Sequence, residues 1–123
     1  MFSCERRKKP YVDLTQQQCV PCDSGPPPLE PAAADQLLVE LNHDWELVDG
    51  RVTKQFGLKN FRAVIAFVTT VMEIAEVEGH HPDLNIHDYR LLTVSLITHA
   101  IHGLSGNDFI LAAKIQAAYD QAQ

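Results

Sequence analysis

The sequence predicts an α+β fold in which four antiparallel strands form a sheet that is covered by helices. Three observations support this fold class. Apolar residues recur at helical spacing in three segments, and four shorter segments have the composition and flanking turns of strands. The strands come in two pairs separated by helices, which gives the order α-β-β-α-β-β-α. Strands that follow each other in pairs form antiparallel hairpins.

The first helix is predicted over residues 31–43. Its apolar residues recur at positions i, i+3, i+4 and i+7, which is the pattern of one helix face: Ala34, Leu37, Leu38 and Leu41. Two strands follow, over residues 45–48 and 51–56. The Asp49-Gly50 pair between them predicts a type I′ hairpin, because that turn needs positive φ at both central residues.

The clearest helix is predicted over residues 61–77. Its apolar residues form one stripe, which we expect to face the core: Phe61, Val64, Ile65, Val68, Val71, Met72 and Ala75. Gly79 suits the position just past a helix end, where a left-handed conformation is common. Pro82 prevents the helix from continuing.

Two more strands are predicted over residues 84–88 and 91–98, with a hairpin turn around Tyr89. The spacing of Ser105 and Asp108 matches a capping box that opens the last helix. The apolar face of that helix is formed by Phe109, Leu111, Ala112, Ile115 and Ala118. The last predicted element of the chain is therefore a helix.

Charge and proline content divide the chain near residue 30. The net charge is −6, yet the charges of residues 1–30 sum to zero, and six of the seven prolines lie at or before Pro31. These features predict a loop-rich extension over residues 1–30 and a compact domain over residues 31–123. The acidic balance disfavours nucleic acid as a direct partner, because such binders usually carry a basic surplus.

The sequence also predicts where the protein resides. No window reaches the ~18 apolar residues of a membrane span, and charged residues occupy the place of a signal peptide's apolar region. We therefore expect a soluble protein in the cytoplasm, with the plastid stroma as the alternative for a eukaryotic source. The three cysteines, Cys4, Cys19 and Cys22, are an odd number that fits a reducing compartment.

Cys19-Val-Pro-Cys22 is a CxxC motif within a proline-rich segment. It supplies half of a four-ligand zinc site, and the sequence has no second CxxC. A redox motif would follow a strand and precede a helix, and neither is predicted here. We expect a structural role as a turn or packing element, with a labile metal or thiol site as the alternative.

Five of the six histidines lie between residues 80 and 102: His80, His81, His87, His99 and His102. Imidazole exchanges protons near neutral pH. His80 and His81 fall in the turn after the long helix, and His99 falls at a strand end, so the three are expected to meet in one cleft. Glu76 lies one turn before His80, and an imidazolium neighbour would offset its unfavourable position against the helix dipole.

Each of these features has a simpler interpretation. The His-His-Pro turn suits a structural role, and Asp108 suits a capping role alone. His87 and His102 are expected on the surface or as paired core residues. Trp45 and Tyr89 suit either stacking on a planar ligand or packing in the core or on the sheet. A zinc or iron site is disfavoured, because two adjacent histidines do not easily reach one ion.

Seven positions over this region resemble the motif of the pterin-4a-carbinolamine dehydratase family. They are Glu76, His80, His81, Pro82, Tyr89, His99 and Asp108. Trp45, Phe56 and Phe61 are similar to the family as well, and the resemblance covers about residues 30–120. The CVPC extension resembles that of bacterial and plastid-type members.

The resemblance implies dehydration of 4a-hydroxytetrahydropterin to quinonoid dihydropterin, with no metal or cofactor. It implies that His80 and His99 form the general acid/base pair, that His81 binds or orients the pterin, and that Glu76 tunes or hydrogen-bonds His80. The residues implied to support the site are Pro82, Tyr89, Asp108 and Trp45.

The resemblance further implies that the three helices pack on one face of the sheet. It also implies a homodimer or homotetramer, because family members pair through sheet edges and some through helices. Proteins similar to this family also act as protein-binding factors, in Rubisco assembly or as a dimerisation cofactor of a transcription factor. A non-catalytic or dual-role protein-binding factor is therefore the alternative function.

Overall fold

The computed structural model describes residues 14–20 and 27–122, and it confirms the predicted α+β fold. The elements, in chain order, are α1 (Pro31–Leu41), β1 (Glu46–Val48), β2 (Arg51–Gly57), α2 (Phe61–Glu78), β3 (Asp83–His87), β4 (Leu91–Leu96) and α3 (Gly106–Ala122). Two short 3₁₀ helices, Leu14–Gln16 and His99–Ile101, were not predicted. The first helix ends two residues earlier than expected, at Leu41.

The four strands form one antiparallel sheet in the order β1-β2-β4-β3. Val48 pairs with Arg51, so the first hairpin has a two-residue loop. Its central residues have φ values of 52° at Asp49 and 75° at Gly50. Both are positive, which confirms the predicted type I′ turn.

The helices cover one face of this sheet. Alternate residues of β4 are fully buried, namely Leu92, Val94 and Leu96, while the residues between them are only half-buried. Because successive strand residues point to opposite faces, one face carries the core and the other is partly exposed. The buried face meets apolar residues of the helices, including Phe67, Phe109, Leu111 and Ile115.

The long helix α2 buries a narrower stripe than the sequence indicates. Val64, Phe67, Val71 and Ala75 are buried, whereas three residues expected in the core are exposed. The exposed fractions are 53% for Phe61, 44% for Ile65 and 45% for Met72. The expectation was wrong for these three because the sheet and α3 cover only one side of α2.

His80, His81 and His99 lie in the chain segments that follow the ends of α2 and β4. Gly79 ends α2 in the left-handed conformation, with φ of 67°, as predicted. The last strand ends at Leu96, two residues before the predicted end. Thr98 instead forms an isolated bridge to Gly103 around the 3₁₀ turn that contains His99. Asp83 of β3 pairs with Ser95 of β4, so both histidine-bearing segments leave the sheet at one end.

Part of the predicted extension packs on the domain. Leu14 is buried in the core cluster, and the Leu29 N–H donates to the Leu104 carbonyl oxygen at 2.8 Å. Cys4 and Cys22 lie outside the described residues, and the domain boundary near residue 30 stays a prediction. Over residues 14–20 and 27–122, no helix is long and apolar enough to cross a membrane. The cytoplasmic location stays a prediction as well.

Candidate active site

The centre of the histidine region is a hydrogen bond between His80 and Asp108. His80 Nε2 lies 2.7 Å from Asp108 Oδ1, and the side chains are 12% and 0% exposed. His80 follows the left-handed Gly79, which turns the chain back across the end of α2. Asp108 lies in the first turn of α3, where the helix dipole stabilises a negative charge. A turn and a helix start therefore bring the two side chains together.

The other oxygen of the Asp108 carboxylate accepts two further hydrogen bonds. Oδ2 accepts from the Thr98 hydroxyl at 2.9 Å and from the Ser105 N–H at 3.0 Å. The hydroxyl groups of Thr98 and Ser105 lie 2.7 Å apart. The bond from Ser105 confirms the capping box. Because Oδ1 remains directed at His80, Asp108 does more than cap the helix.

This network also fixes how His80 presents its ring. A carboxylate only accepts hydrogen bonds, so His80 Nε2 carries the hydrogen that it donates to Asp108. The other ring nitrogen, Nδ1, then carries the lone pair when the ring is neutral. The arrangement leaves Nδ1 as the ring nitrogen that can accept a proton, while a buried carboxylate holds Nε2.

Glu76 pairs with His81 rather than with His80. Glu76 Oε2 lies 2.6 Å from His81 Nε2, and both side chains are exposed, at 63% and 61%. The structure therefore does not form the hydrogen bond that was expected between the His80 ring and the Glu76 carboxylate. The reason is that His80 turns inward to Asp108, which leaves His81 on the exposed side with Glu76.

His99 lies directly after Thr98, whose hydroxyl contacts Asp108. It begins a 3₁₀ turn and is exposed. The N–H of Thr98 and the carbonyl of Gly103 close this turn at 2.9 Å. The structure therefore brings His99 to the same end of the sheet as His80, His81 and Pro82.

Two other candidate residues lie away from this group. Tyr89 is 65% exposed in the β3–β4 turn, at the opposite end of that hairpin from Pro82. Trp45 is 3% exposed, and its ring packs edge-on against Phe56 at 5.7 Å. Its indole N–H donates to Gln116 Oε1 at 3.0 Å. The structure therefore places Trp45 in the core, which favours the core alternative over stacking on a planar ligand.

The remaining histidines lie outside the group as well. His87 Nε2 contacts the Thr93 hydroxyl at 2.9 Å, and His102 is exposed. Thr98 was not predicted as a site residue, and Ser105 was assigned to capping alone. Their signal was weak, because small hydroxyl side chains near a helix start usually serve as caps.

Cys19 has the environment of a packed thiol. Its Sγ lies 3.7 Å from the Asn107 carbonyl oxygen. Burial, and then the nearby Glu78 carboxylate, raise the pKa of the Cys19 thiol to about 12. The thiol stays protonated at neutral pH, which favours the packing role over a reactive or metal-binding thiolate. Over residues 14–20 and 27–122, no three histidine, cysteine or acidic side chains are grouped to hold a metal.

Taken together, fold and site define a small α+β protein that gathers imidazole and carboxylate groups at one end of its sheet. Residues 27–118 match the family described as Pterin 4 alpha carbinolamine dehydratase. The chain belongs to this family, and curated relatives that it matches are named dehydratases, which are hydro-lyases. The match begins at residue 27, so it does not cover the CVPC segment.

Relatives in several bacteria support the family assignment. A protein from Nitrosomonas europaea named pterin-4-alpha-carbinolamine dehydratase is 42% identical over 107 residues, which cover 87% of this chain and 94% of the relative. One of the same name from Rickettsia canadensis is 43% identical over 105 residues, covering 85% and 95%. The similarity therefore extends over nearly the full length of these relatives.

Two solved structures share the fold. A transcriptional coactivator/pterin dehydratase from Brucella melitensis superposes with a TM-score of 0.67 at 30% identity, covering 73% of this chain and 96% of its own. A pterin dehydratase-like protein described as a RuBisCO assembly factor of the alpha-carboxysome gives a TM-score of 0.51 at 19% identity, covering 62% and 89%. The second likeness shows the fold alone.

Proposed function

We propose that this chain dehydrates 4a-hydroxytetrahydropterin to quinonoid dihydropterin by histidine general acid/base catalysis. The observation that carries the proposal is the buried Asp108 carboxylate hydrogen-bonded to His80, at the sheet end that also holds His99 and His81. The names of the relatives supply the substrate class. The dehydration reaction itself requires one group that donates a proton and one that accepts a proton.

Loss of water from the substrate needs two proton transfers. An acid protonates the departing 4a-hydroxyl oxygen, the carbon–oxygen bond breaks, and a base removes a proton from the ring. His80 suits the base, because Asp108 occupies its Nε2 and stabilises the imidazolium that forms. His99 then supplies the proton that leaves with the oxygen as water. The proton balance closes without a metal or cofactor.

His81 suits a binding role. Its ring is exposed, and the Glu76 carboxylate holds it at 2.6 Å. A side chain held in this way is positioned to contact a polar, planar substrate and to orient it between the acid and the base. Pro82 follows directly and restricts the backbone of His81 to extended conformations.

The proposal is tested by stopped-flow absorbance on freshly generated 4a-hydroxytetrahydropterin. We compare the wild type with His80→Ala and His99→Ala, and use His87→Ala as the matched control because that histidine lies outside the group. General acid/base groups contribute about 10²- to 10⁴-fold, so both site variants should lose at least about 100-fold in rate while the control keeps it. A well-folded wild type that does not exceed the buffer rate would overturn the proposal.

A second candidate function is protein binding through α2. The observation in its favour is the exposed apolar face formed by Phe61, Ile65 and Met72. A pure binding protein should be indifferent to His80→Ala and should lose its partner with Ile65→Lys. The Brucella melitensis relative is described as both a coactivator and a dehydratase, so the two candidates are compatible.

The same face, together with the edge strand β3, suits a second copy of this chain. Leu84 and Ile86 of β3 are 36% and 37% exposed on the helix side of the sheet edge. An unpaired edge and an apolar helix face favour self-association. We expect a homodimer or homotetramer in sedimentation experiments, and a shift towards monomer in Ile65→Lys. A wild type that sediments as a monomer at all concentrations would contradict this.

A further inference from the structure

We propose that residues 14–20, through their contacts with Glu78 and Asn107, form an element that positions the His80–Asp108 pair. We call residues 14–20 the N-terminal clasp. The clasp acts on how the site is held, and its kinetic consequence rests on the proposed function. No part of the family match, which begins at residue 27, covers the clasp.

The clasp is attached to the domain at both of its ends. Leu14 is 7% exposed and lies in the core cluster, and its short 3₁₀ helix packs on α3. At the other end, the Val20 N–H donates to Asn107 Oδ1 at 2.9 Å, and Asn107 Nδ2 donates to the Val20 carbonyl at 2.6 Å. The side-chain amide thus pairs with a peptide group as a neighbouring strand would.

Between these points the clasp binds the end of α2. The Cys19 N–H donates to Glu78 Oε1 at 2.9 Å, and Lys114 of α3 donates to Glu78 Oε2 at 2.7 Å. The Glu78 side chain is 8% exposed. A buried carboxylate needs such donors, because leaving a buried charge unpaired is costly.

The two residues that the clasp holds lie next to the proposed catalytic groups in sequence. Glu78 is the last residue of α2, with only Gly79 between it and His80. Asn107 directly precedes Asp108 in the first turn of α3. The clasp therefore joins the two chain segments from which His80 and Asp108 project, although these residues are 28 positions apart.

The consequence for catalysis follows from geometry. The bond from His80 to Asp108 is 2.7 Å long, and a shift of about 1 Å between α2 and α3 would break it. Misplacement of about 1 Å costs on the order of 100-fold in rate. A clasp that keeps these two helix ends together thus acts on turnover through His80 and Asp108, without touching the substrate.

The test compares two buried amides on α3. Asn107→Ala removes both bonds to Val20. Gln116→Ala is the matched control: Gln116 is 5% exposed, and its bonds go to Trp45, Lys54 and Asp120, away from His80 and Asp108. We expect Asn107→Ala to lower kcat about 10- to 100-fold with KM changed less than about twofold, and Gln116→Ala to keep kcat within about twofold at the same temperature.

A second readout does not depend on activity. Long-range proton–nitrogen NMR of the His80 ring reports which nitrogen carries the hydrogen, and we expect the Nε2–H form in the wild type and in Gln116→Ala. In Asn107→Ala we expect the Nε2–H form to be replaced by the Nδ1–H form or to be mixed with it. If the wild type shows no dehydration, the proposed function fails, while the ring spectrum still tests the clasp.

Two outcomes would overturn the inference. One is an Asn107→Ala variant with unchanged kcat and an unchanged His80 spectrum. The other is an equal loss of kcat in Asn107→Ala and Gln116→Ala, which would indicate a general effect of stability. If Asn107→Ala does not fold, Val20→Pro takes its place. Val20 is exposed, and proline at this position lacks the N–H that Val20 donates to Asn107. The expected changes in kcat and in the His80 spectrum are the same.

Discussion

His80 donates a 2.7 Å hydrogen bond to Asp108 across 28 residues of sequence, and the Asp108 side chain has no solvent exposure. The bond joins the end of α2 to the start of α3. Asp108 accepts from three separate segments: the turn of His80, the strand extension of Thr98 and the helix cap at Ser105. One buried carboxylate therefore orients a histidine and fixes the turn from which His99 projects.

The first prediction concerns the charge of Asp108. Asp108→Asn keeps the shape of the side chain but replaces a carboxylate with an amide, which does not stabilise an imidazolium at His80. We expect kcat to fall by about 100-fold or more, because general base catalysis contributes about 10²- to 10⁴-fold. Stopped-flow absorbance measures the effect, and circular dichroism confirms that the fold is retained.

Ser105→Ala provides the control for this experiment. It removes a hydroxyl of the same network and one side-chain contact to the Asn107 N–H, but it leaves the bond from His80 to Asp108. We expect a loss of about 1 kcal/mol in the free energy of unfolding, typical of a helix cap, and a much smaller effect on kcat. Equal losses of kcat in the two variants would argue against the role of the Asp108 charge.

Local and tertiary contacts differ in how far the sequence predicts them. The hairpin at Asp49-Gly50 and the end of α2 at Gly79 were predictable, because positive φ values are a property of a few neighbouring residues. The hydrogen-bond partner of His80 could not be predicted from the sequence in the same way. Glu76 lies four residues before His80, in the last turn of α2, which made it the natural local choice, whereas Asp108 becomes adjacent only when α3 packs on α2.

The same difference between local and tertiary contacts explains why the sequence does not predict the buried face of α2 or the contacts of the N-terminal clasp. The periodicity of α2 identifies apolar residues but not which of them the sheet covers. It therefore predicts Phe61 and Met72 in the core, whereas both are exposed. Likewise, nothing in the local sequence around Cys19 indicates that its N–H meets Glu78. Such contacts depend on how distant elements pack.

The second prediction concerns Trp45. Trp45→Phe removes the indole N–H donated to Gln116 and leaves a small void in the core. We expect the free energy of unfolding to fall by about 1–3 kcal/mol, measured by denaturant titration, with KM for the pterin unchanged. A raised KM with unchanged stability would mean that Trp45 contacts the substrate after all.

The third prediction concerns Gly79, which has φ of 67° and open space where a Cβ would lie. Gly79→Ala therefore adds no clash, and its cost is conformational. We expect the free energy of unfolding to fall by about 1 kcal/mol, again by denaturant titration. Gly79→Asn should recover part of this loss, because asparagine adopts the left-handed region more readily. An alanine variant as stable as the wild type would contradict the strain argument.

The last prediction concerns the pH dependence of stability through Glu78. The N–H of Cys19, and then Lys114, lower the pKa of the Glu78 carboxyl below its ordinary value of 4.5. A group whose pKa is lower in the folded state stabilises the fold above its unfolded pKa, and this contribution is lost as the pH falls through the folded pKa. We therefore expect the contribution of Glu78 to be complete at pH 6–7 and to decline below about pH 4.5.

The experiment measures the free energy of unfolding by denaturant titration from pH 3 to pH 7. Glu78→Gln keeps the acceptor for the Cys19 N–H but removes the charge, and we expect it to be less stable than the wild type by about 1.5–3 kcal/mol at pH 7. The difference should shrink as the pH falls below 4.5. Glu73→Gln, on the same helix but exposed, is the control and should track the wild type across the range. The contrary result is a difference in free energy of unfolding between Glu78→Gln and the wild type that stays constant from pH 3 to pH 7. That result would show that the loss does not come from the carboxylate charge, because acid neutralises the carboxylate of the wild type but does not change the glutamine.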